Sequence, residues 1–209
     1  MTGLGQVLIS AIVSIAGDEL IIALVLTMLC CIVLGMGVPT TANYVIMATT
    51  CAPILISGMG MNVIAAHMFV FYFGIVADIT PPVALAAYAG SAIAKAPPMR
   101  TAWNATRLAI AAFIVPYIFA FNNAMLFVNT TTFEVVQVII SSFVGMFLVA
   151  SGLMGYMIRD LKWPARLISI AGGLCLIIPG TVTDLTGLAV LVVMLAVQFW
   201  QNKKIAVAQ

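Results

Sequence analysis

The sequence predicts an all-α integral membrane protein, and three observations lead to that fold class. Hydrophobic residues occupy 64% of the 209 positions and charged residues only 7%, and the mean hydropathy is +1.23. A soluble domain has charged residues at about a quarter of its positions, so most of this chain's surface must face lipid. Long apolar runs recur along the chain, and the few basic residues lie in clusters between runs.

The apolar runs set the candidate membrane segments, because a helix needs about 20 apolar residues to cross a bilayer. Three runs reach or approach that length, at 105–127, 133–158 and 184–201. A shorter apolar stretch covers residues 4–16. The remaining runs are also short and lie at 20–37, 40–56, 63–78, 83–95 and 165–179.

The basic residues predict the orientation of these segments. All eight fall in three clusters, and the positive-inside rule places such clusters in the cytoplasm. An even number of crossings must then separate the clusters, with outer turns at 129–132 and 181–184 that contain no Lys or Arg. The C-terminus is therefore predicted to be cytoplasmic. The clusters are Lys95, Arg100 and Arg107; Arg159, Lys162 and Arg166; Lys203 and Lys204.

Composition and motifs argue against several functional classes. A net charge of +2 is too small to indicate a nucleic-acid partner. The four cysteines lie in apolar runs at spacings that match no zinc or redox motif, so they are predicted to be buried free thiols. The sequence has no HExxH, GxSxG or catalytic Cys/His arrangement, which predicts neither an enzyme nor a cofactor. The N-terminus is not expected to be a cleavable signal.

Glycine and proline interrupt the apolar runs at two places. The first break reads Gly35-Met36-Gly37-Val38-Pro39-Thr40-Thr41-Ala42-Asn43, and the second reads Asp78-Ile79-Thr80-Pro81-Pro82. Irregular backbone at membrane depth is tolerated only where it is buried in protein or lines a wet cavity. Proline also frees carbonyls on the preceding turn. Half-helix N-termini suit an anionic substrate, and freed carbonyls beside Thr and Asn side chains suit Na⁺.

Two topologies are compatible with the second break. If 63–95 crosses once as a discontinuous helix, then 20–56 is a re-entrant hairpin that enters and leaves on the outer side. Two complete crossings in that region would preserve the same end points, so charge alone does not separate the two topologies. The chemistry of the breaks favours the hairpin.

The predicted cation site consists of residues at the two breaks. The alternative for each break is a helix kink whose carbonyls are satisfied by a neighbouring Thr. Asp78 lies in an apolar run and is either a cation ligand or proton carrier, or a structural cap. The single histidine, His67, is predicted to have a packing or interfacial role. The predicted cation ligands are Gly35, Gly37, Thr40, Thr41, Asn43, Thr80 and Pro81.

Three segments together resemble a known family. They are the first break, His67-Met68-Phe69-Val70-Phe71-Tyr72-Phe73-Gly74, and Ile79-Thr80-Pro81-Pro82-Val83-Ala84-Leu85-Ala86-Ala87-Tyr88. These segments and their spacing are similar to the large membrane subunit of TRAP transporters, in particular to the fused permeases that work with TAXI-type periplasmic receptors. The resemblance covers residues 2–128, and 133–209 resembles the C-terminal extension of those permeases.

The resemblance implies Na⁺-coupled uptake of small organic anions (carboxylates), delivered by a soluble TAXI-type receptor, in a bacterial inner membrane. It also implies an elevator mechanism built on two inverted repeats. Residues 1–128 would be the second repeat, with hairpin 20–56, broken helix 63–95 and helix 105–127, and 129–209 would be a C-terminal transmembrane extension. The first repeat is then expected from a partner, either the other part of a longer protein or a separately encoded subunit.

Two further functional classes stay open. The chain could be a channel-like or assembly subunit without ion coupling, which sodium-dependent binding would distinguish from a transporter. It could also belong to a different hairpin-type anion symporter, which dependence on a soluble receptor would distinguish.

Overall fold

The structure is a computed structural model that describes residues 4–128, 130–178 and 180–206. Its regular elements are helices, so the predicted all-α class is confirmed. The β pairing among the described residues is one isolated bridge between Tyr156 and Asp160. The chain forms two compact units, an N-terminal unit that ends at Leu126 and a C-terminal unit that begins at Phe127.

The N-terminal unit contains seven α-helices in its described residues, and irregular turns extend three of them. A π-helical turn at Ile54–Gly58 prolongs the third helix, and 3-10 turns at Ala77–Ile79 and Asn123–Leu126 follow the fourth and the seventh. The helices are α1 (Leu4–Ala16), α2 (Leu20–Gly35), α3 (Thr40–Thr50), α4 (Val63–Val76), α5 (Leu85–Ala94), α6 (Pro98–Leu108) and α7 (Ile110–Phe121).

Helix α4 lies at the centre of this unit. Phe69 and Phe73 on α4 are fully buried in a core shared with α2 and α3. The ring of Tyr117 on α7 makes edge contacts with both, at centroid distances of 5.4 and 5.8 Å. Such aromatic pairs contribute about 0.5–1.5 kcal/mol beyond the burial of their surface. These contacts fix α4, and with it the second break, against the helices that form the first break.

The structure differs from the uninterrupted helix that was predicted over 105–127. Helix α6 begins at Pro98 and ends at Leu108, and α7 continues from Ile110 at an angle of 40°. Arg100, Asn104 and Arg107 share one face of α6 at the i, i+4, i+7 spacing, whereas α7 has no charged residue. An amphipathic helix favours a polar boundary and an apolar helix favours lipid, which accounts for two segments with different directions.

The C-terminal unit consists of three helices in its described residues: α8 (Thr132–Met154), α9 (Trp163–Ile177) and α10 (Thr181–Ala206). A capping box between Thr131 and Glu134 starts α8. Gly155 ends it in the left-handed conformation that favours glycine, with φ +74°. The guanidinium of Arg166 on α9 donates to the Gly152 and Leu153 carbonyls, at 2.9 and 2.7 Å, and so satisfies the last turn of α8.

Glycines allow α8, α9 and α10 to pack closely. A Cβ at Gly173 on α9 would lie 2.6 Å from the Gly145 carbonyl oxygen and 2.9 Å from the Val149 amide nitrogen of α8. A Cβ at Gly187 on α10 would lie 2.8 Å from the Gly172 carbonyl oxygen of α9. Small residues permit such backbone approach in membrane bundles, where dispersion forces hold helices together.

Three helical segments are long and apolar enough to cross a membrane: Thr40–Gly58, Thr132–Met154 and Val182–Phe199. The bent pair of α6 and α7 gives a fourth if it is counted as one span. Helices α2, α4, α5 and α9 are apolar but shorter. Because Thr40–Gly58 is itself long enough to cross, the re-entrant hairpin over 20–56 and the single crossing over 63–95 stay predictions.

Candidate functional site

The first break is a tight connection between two helix ends. Helix α2 ends at Gly35, and α3 begins at Thr40 after Pro39. Between them Gly37 takes a φ of +75°, a left-handed conformation that costs glycine little and other residues more. The Val38 amide donates to the Gly35 carbonyl at 3.4 Å. Glycine and proline therefore form this tip without a charged residue, and the N-terminus of α3 starts directly after it.

Asn43, in the first turn of α3, is the buried polar residue closest to this tip. It is 2% exposed, and its Nδ2 donates to the Gly74 carbonyl oxygen of α4 at 2.7 Å. That bond fixes the orientation of the amide, because a flipped side chain would place Oδ1 against the same carbonyl oxygen. The Asn43 Oδ1 atom is buried and has no hydrogen-bond partner among the described residues. A strong acceptor is thus held in place beside the break.

Gly35 allows α2, α3 and α4 to approach one another closely. A Cβ at Gly35 would lie 2.8 Å from Asn43 Nδ2, 3.0 Å from the Gly74 carbonyl oxygen and 3.0 Å from the Ala77 Cβ. Any side chain at this position would push the amide away from Gly74. Since Ala77 begins the 3-10 turn after α4, Gly35 brings the end of α2 close to the start of the second break.

The carbonyls of the second break accept protein hydrogen bonds. The Val76 carbonyl accepts from the Thr80 hydroxyl at 2.7 Å, and the Ile79 carbonyl accepts from the Thr106 hydroxyl of α6 at 3.0 Å. The Pro82 carbonyl accepts from the Tyr88 hydroxyl of α5. Each carbonyl oxygen retains a second lone pair. These bonds stabilise the break as a defined structure, and Thr106 contributes to it from a separate helix.

The predicted site residues lie in different environments. Gly35 and Asn43 are buried and lie next to each other against α4. Gly37, Thr40 and Thr41 are exposed at the tip. Asp78, Thr80 and Pro81 are partly buried in the second break. Among the described residues no hydrogen bond joins Thr40 or Thr41 to the second break.

The single histidine contacts α3 rather than either break. His67 Nδ1 lies 3.1 Å from the Tyr44 hydroxyl of α3, and the two rings meet edge to face at a centroid distance of 6.1 Å. Tyr44 also packs against Phe71 one turn further along α4. These contacts fit the predicted packing role.

Sequence reasoning missed three contributors to this region: Gly74, Ala77 and Thr106. Gly74 ends the aromatic-rich motif that begins at His67, but only the fold shows that its carbonyl accepts a hydrogen bond from Asn43, 31 positions away. A glycine within an aromatic-rich helix is a signal of close backbone approach. Thr106 offers no comparable signal, because a helical hydroxyl usually bonds its own preceding turn, and the Thr106 hydroxyl also lies 3.0 Å from the Ala102 carbonyl oxygen.

The arrangement combines features that suit a hard cation. Asn43 supplies an amide oxygen without a donor, and residues 1–94 contain no Lys or Arg whose charge would repel a cation. Asp78 places a carboxylate in the second break. Amide, hydroxyl and carbonyl oxygens in an unwound segment are the ligands that Na⁺ receives in transporters with broken helices.

Comparison with known proteins returns one family. Residues 1–133 match the family described as Tripartite ATP-independent periplasmic transporter, DctM component. The match extends through all of the N-terminal unit and ends in the first turn of α8. No curated protein and no solved structure matches the chain.

Proposed function

Because the chain belongs to the DctM component family of the tripartite ATP-independent periplasmic transporters, we propose that its two breaks form a Na⁺ site that drives the uptake of small organic anions. Membership makes the chain a multi-pass membrane component of a binding-protein-dependent secondary transporter, and not an enzyme. The coupling ion, the chemistry of the substrate and the residues that act on them are the proposal.

The observation that carries the proposal is the unpaired Oδ1 of Asn43. A buried acceptor without a donor costs about 1–3 kcal/mol, and a polar side chain held in that state at a helix break is expected to have a ligand. The adjacent Nδ2 is committed to Gly74, which keeps the oxygen in one position. A bound Na⁺ would satisfy Oδ1 and recover that cost.

Charge explains why a cation should accompany the substrate. Residues 1–94 contain no Lys or Arg, so no permanently charged side chain there neutralises a carboxylate. The positive end of the α3 helix dipole contributes at Thr40, and it amounts to about half an elementary charge. A Na⁺ bound beside the tip would add a full charge, so the ion and the anion would bind with positive cooperativity.

The architecture and partners form a second part of the proposal, and they rest on the sequence resemblance. Residues 20–56 and 63–95 would be the hairpin and broken helix of an elevator-type repeat. A first-half permease region or subunit would supply the inverted counterpart. A periplasmic receptor of the TAXI type would deliver the substrate.

Uptake by the assembled transporter in proteoliposomes tests the proposal. We expect uptake of a receptor-bound carboxylate under an inward Na⁺ gradient, and little uptake when K⁺ replaces Na⁺ at equal ionic strength. Flux that is independent of Na⁺ would favour a channel-like or assembly role. Na⁺-driven uptake without the receptor would contradict delivery of the substrate by a TAXI-type receptor.

The proposed orientation places the loop between α8 and α9 in the cytoplasm, in a bacterial inner membrane. In a variant whose four native cysteines are replaced by Ala, Lys162→Cys should resist an impermeant maleimide in sealed cells, while Thr130→Cys should react. Reaction of Lys162→Cys before cell lysis would overturn the orientation, including the cytoplasmic C-terminus.

A further inference from the structure

The C-terminal unit contains a groove that plays no part in the proposed cation site. It lies between the first half of α8 and the start of α10, and Leu176 near the end of α9 contributes to its wall. Its volume is about 330 Å³. The family match ends at residue 133, so all but the first of its lining residues lie outside the match.

The groove has apolar walls and one polar position. Phe133, Val136, Ile140 and Leu188 line it and are exposed. Ser141 also lines it, but its hydroxyl donates to the Val138 carbonyl of its own helix at 3.2 Å. Both helices lie in segments long and apolar enough to cross a membrane, so the groove faces the hydrocarbon region of a bilayer along most of its length.

The dimensions of the groove fit a single hydrocarbon chain. Phe133 and Val144 line its two ends on α8 and are roughly 16 Å apart at about 1.5 Å per residue. Spread over that length, the 330 Å³ correspond to a mean cross-section of roughly 20 Å². A groove of that cross-section takes a single hydrocarbon chain along its length, whereas a partner helix could insert only its side chains.

The polar position lies at one end and carries negative charge. Gln137 Nε2 donates to Asp184 Oδ2 at 3.3 Å, which bridges α8 and α10 across the groove. Asp184 is in the first turn of α10 and Glu134 in the first turn of α8, so two acids are at this end of the unit. Residues 127–141 and 172–190 contain no Lys or Arg. An anionic headgroup would be repelled here, whereas an ammonium group would be attracted.

We propose that this groove binds one phospholipid with a primary-ammonium headgroup, with an acyl chain along α8 and the ammonium on the Asp184 carboxylate. A carboxylate accepts up to about four hydrogen bonds, so Asp184 can hold both Gln137 and the ammonium. The site would join α8 to α10 beside Leu176 of α9.

A headgroup series tests the proposal without altering the protein. The purified chain is delipidated, supplied with phosphatidylethanolamine, phosphatidylcholine or phosphatidylglycerol of identical acyl chains, and bound lipid is counted by native mass spectrometry. We expect one phosphatidylethanolamine per chain, bound about tenfold more tightly than phosphatidylcholine, which has no N–H to donate. Equal binding of the three lipids, or a preference for phosphatidylglycerol, would overturn the proposal.

Two matched pairs of variants locate the site. Asp184→Asn should abolish the preference for phosphatidylethanolamine, whereas Asp160→Asn, the same change in the loop between α8 and α9, should keep it. Val144→Phe should fill the groove and reduce binding of every lipid, whereas Val193→Phe on α10, outside the lining, should not. Unchanged binding in Asp184→Asn and Val144→Phe would overturn the proposal. If Val144→Phe changes the oligomeric mass of the protein while lipid binding stays intact, the groove is a protein contact and the proposal is overturned.

Discussion

The two units satisfy their buried polar groups in different ways. In the described residues, the three buried side-chain oxygens without a partner belong to Thr27, Asn43 and Asn123, all in the N-terminal unit. In the C-terminal unit Ser169 donates to the Leu148 carbonyl, and the Arg159 amide donates to Gln198 Oε1. An unpaired buried acceptor is costly, so the N-terminal unit carries a cost at these oxygens that the buried polar groups of the C-terminal unit avoid by bonding to one another.

The helices show the same contrast. The N-terminal unit divides its apolar sequence into short helices with irregular turns, while α8 and α10 continue for 23 and 26 residues. Glycine serves opposite purposes in the two units. Gly35 makes room for a polar side chain beside a break, and Gly145 and Gly173 make room for one regular helix against another. Substitutions in the two units should therefore affect different measured quantities.

The largest effect is expected from Gly173→Ala. Its Cβ would meet backbone atoms of α8 at 2.6 and 2.9 Å, and backbone cannot move aside without separating the helices. We expect a loss of about 3 kcal/mol in unfolding free energy, the upper end of overpacking costs, in a denaturant titration in detergent micelles. Gly90→Ala on α5 is the control, because its Cβ meets nothing within 4 Å. A destabilised Gly173→Ala protein with a changed Na⁺ requirement would contradict the separation of roles.

The next effect concerns the hydroxyls at the breaks. In the assembled transporter, Thr40→Ala, Thr41→Ala and Thr80→Val should each raise the Na⁺ concentration for half-maximal uptake, by about tenfold if the remaining ligands cannot relax. Membrane insertion should not change, because one hydroxyl does not decide partitioning into lipid. If all three titration curves coincide with the wild-type curve, these hydroxyls bind no cation and the breaks at which they lie are structural kinks.

The smallest effect is expected from Thr27→Val. Thr27 is fully buried in the middle of α2 and its hydroxyl oxygen has no partner in the described structure, but it lies two turns before the break. Replacement by an apolar residue of the same shape should be neutral or should raise stability by about 1 kcal/mol, with an unchanged Na⁺ requirement. A higher Na⁺ requirement would extend the cation site into α2.

The sequence predicted those features that depend on local chemistry. Gly35, Gly37 and Pro39 occur close together, as do Pro81 and Pro82, and such clusters disfavour a continuous helix, so both breaks lie where they were expected. The bend at Ala109 was missed although Arg100, Asn104 and Arg107 give α6 a polar face, because the run was judged by its apolar length alone.

Long-range contacts could not be predicted. Asn43 was named as a cation ligand, but its bond to the Gly74 carbonyl depends on how α3 packs against α4. The same holds for Thr106 and the Ile79 carbonyl, which are 27 positions apart. Residue type identifies a polar group at a break, and only packing determines which of its atoms are left for a ligand.

A sodium titration of uptake by Asn43 variants tests the central claim most directly, with uptake normalised to inserted protein in proteoliposomes of the assembled transporter. Asn43→Leu removes Oδ1 and should raise the half-maximal Na⁺ concentration by at least about tenfold. Asn43→Asp keeps an oxygen there, adds negative charge and should require less Na⁺ than Asn43→Leu. An unshifted titration for Asn43→Leu, or identical curves for the two variants, would contradict a cation at Asn43.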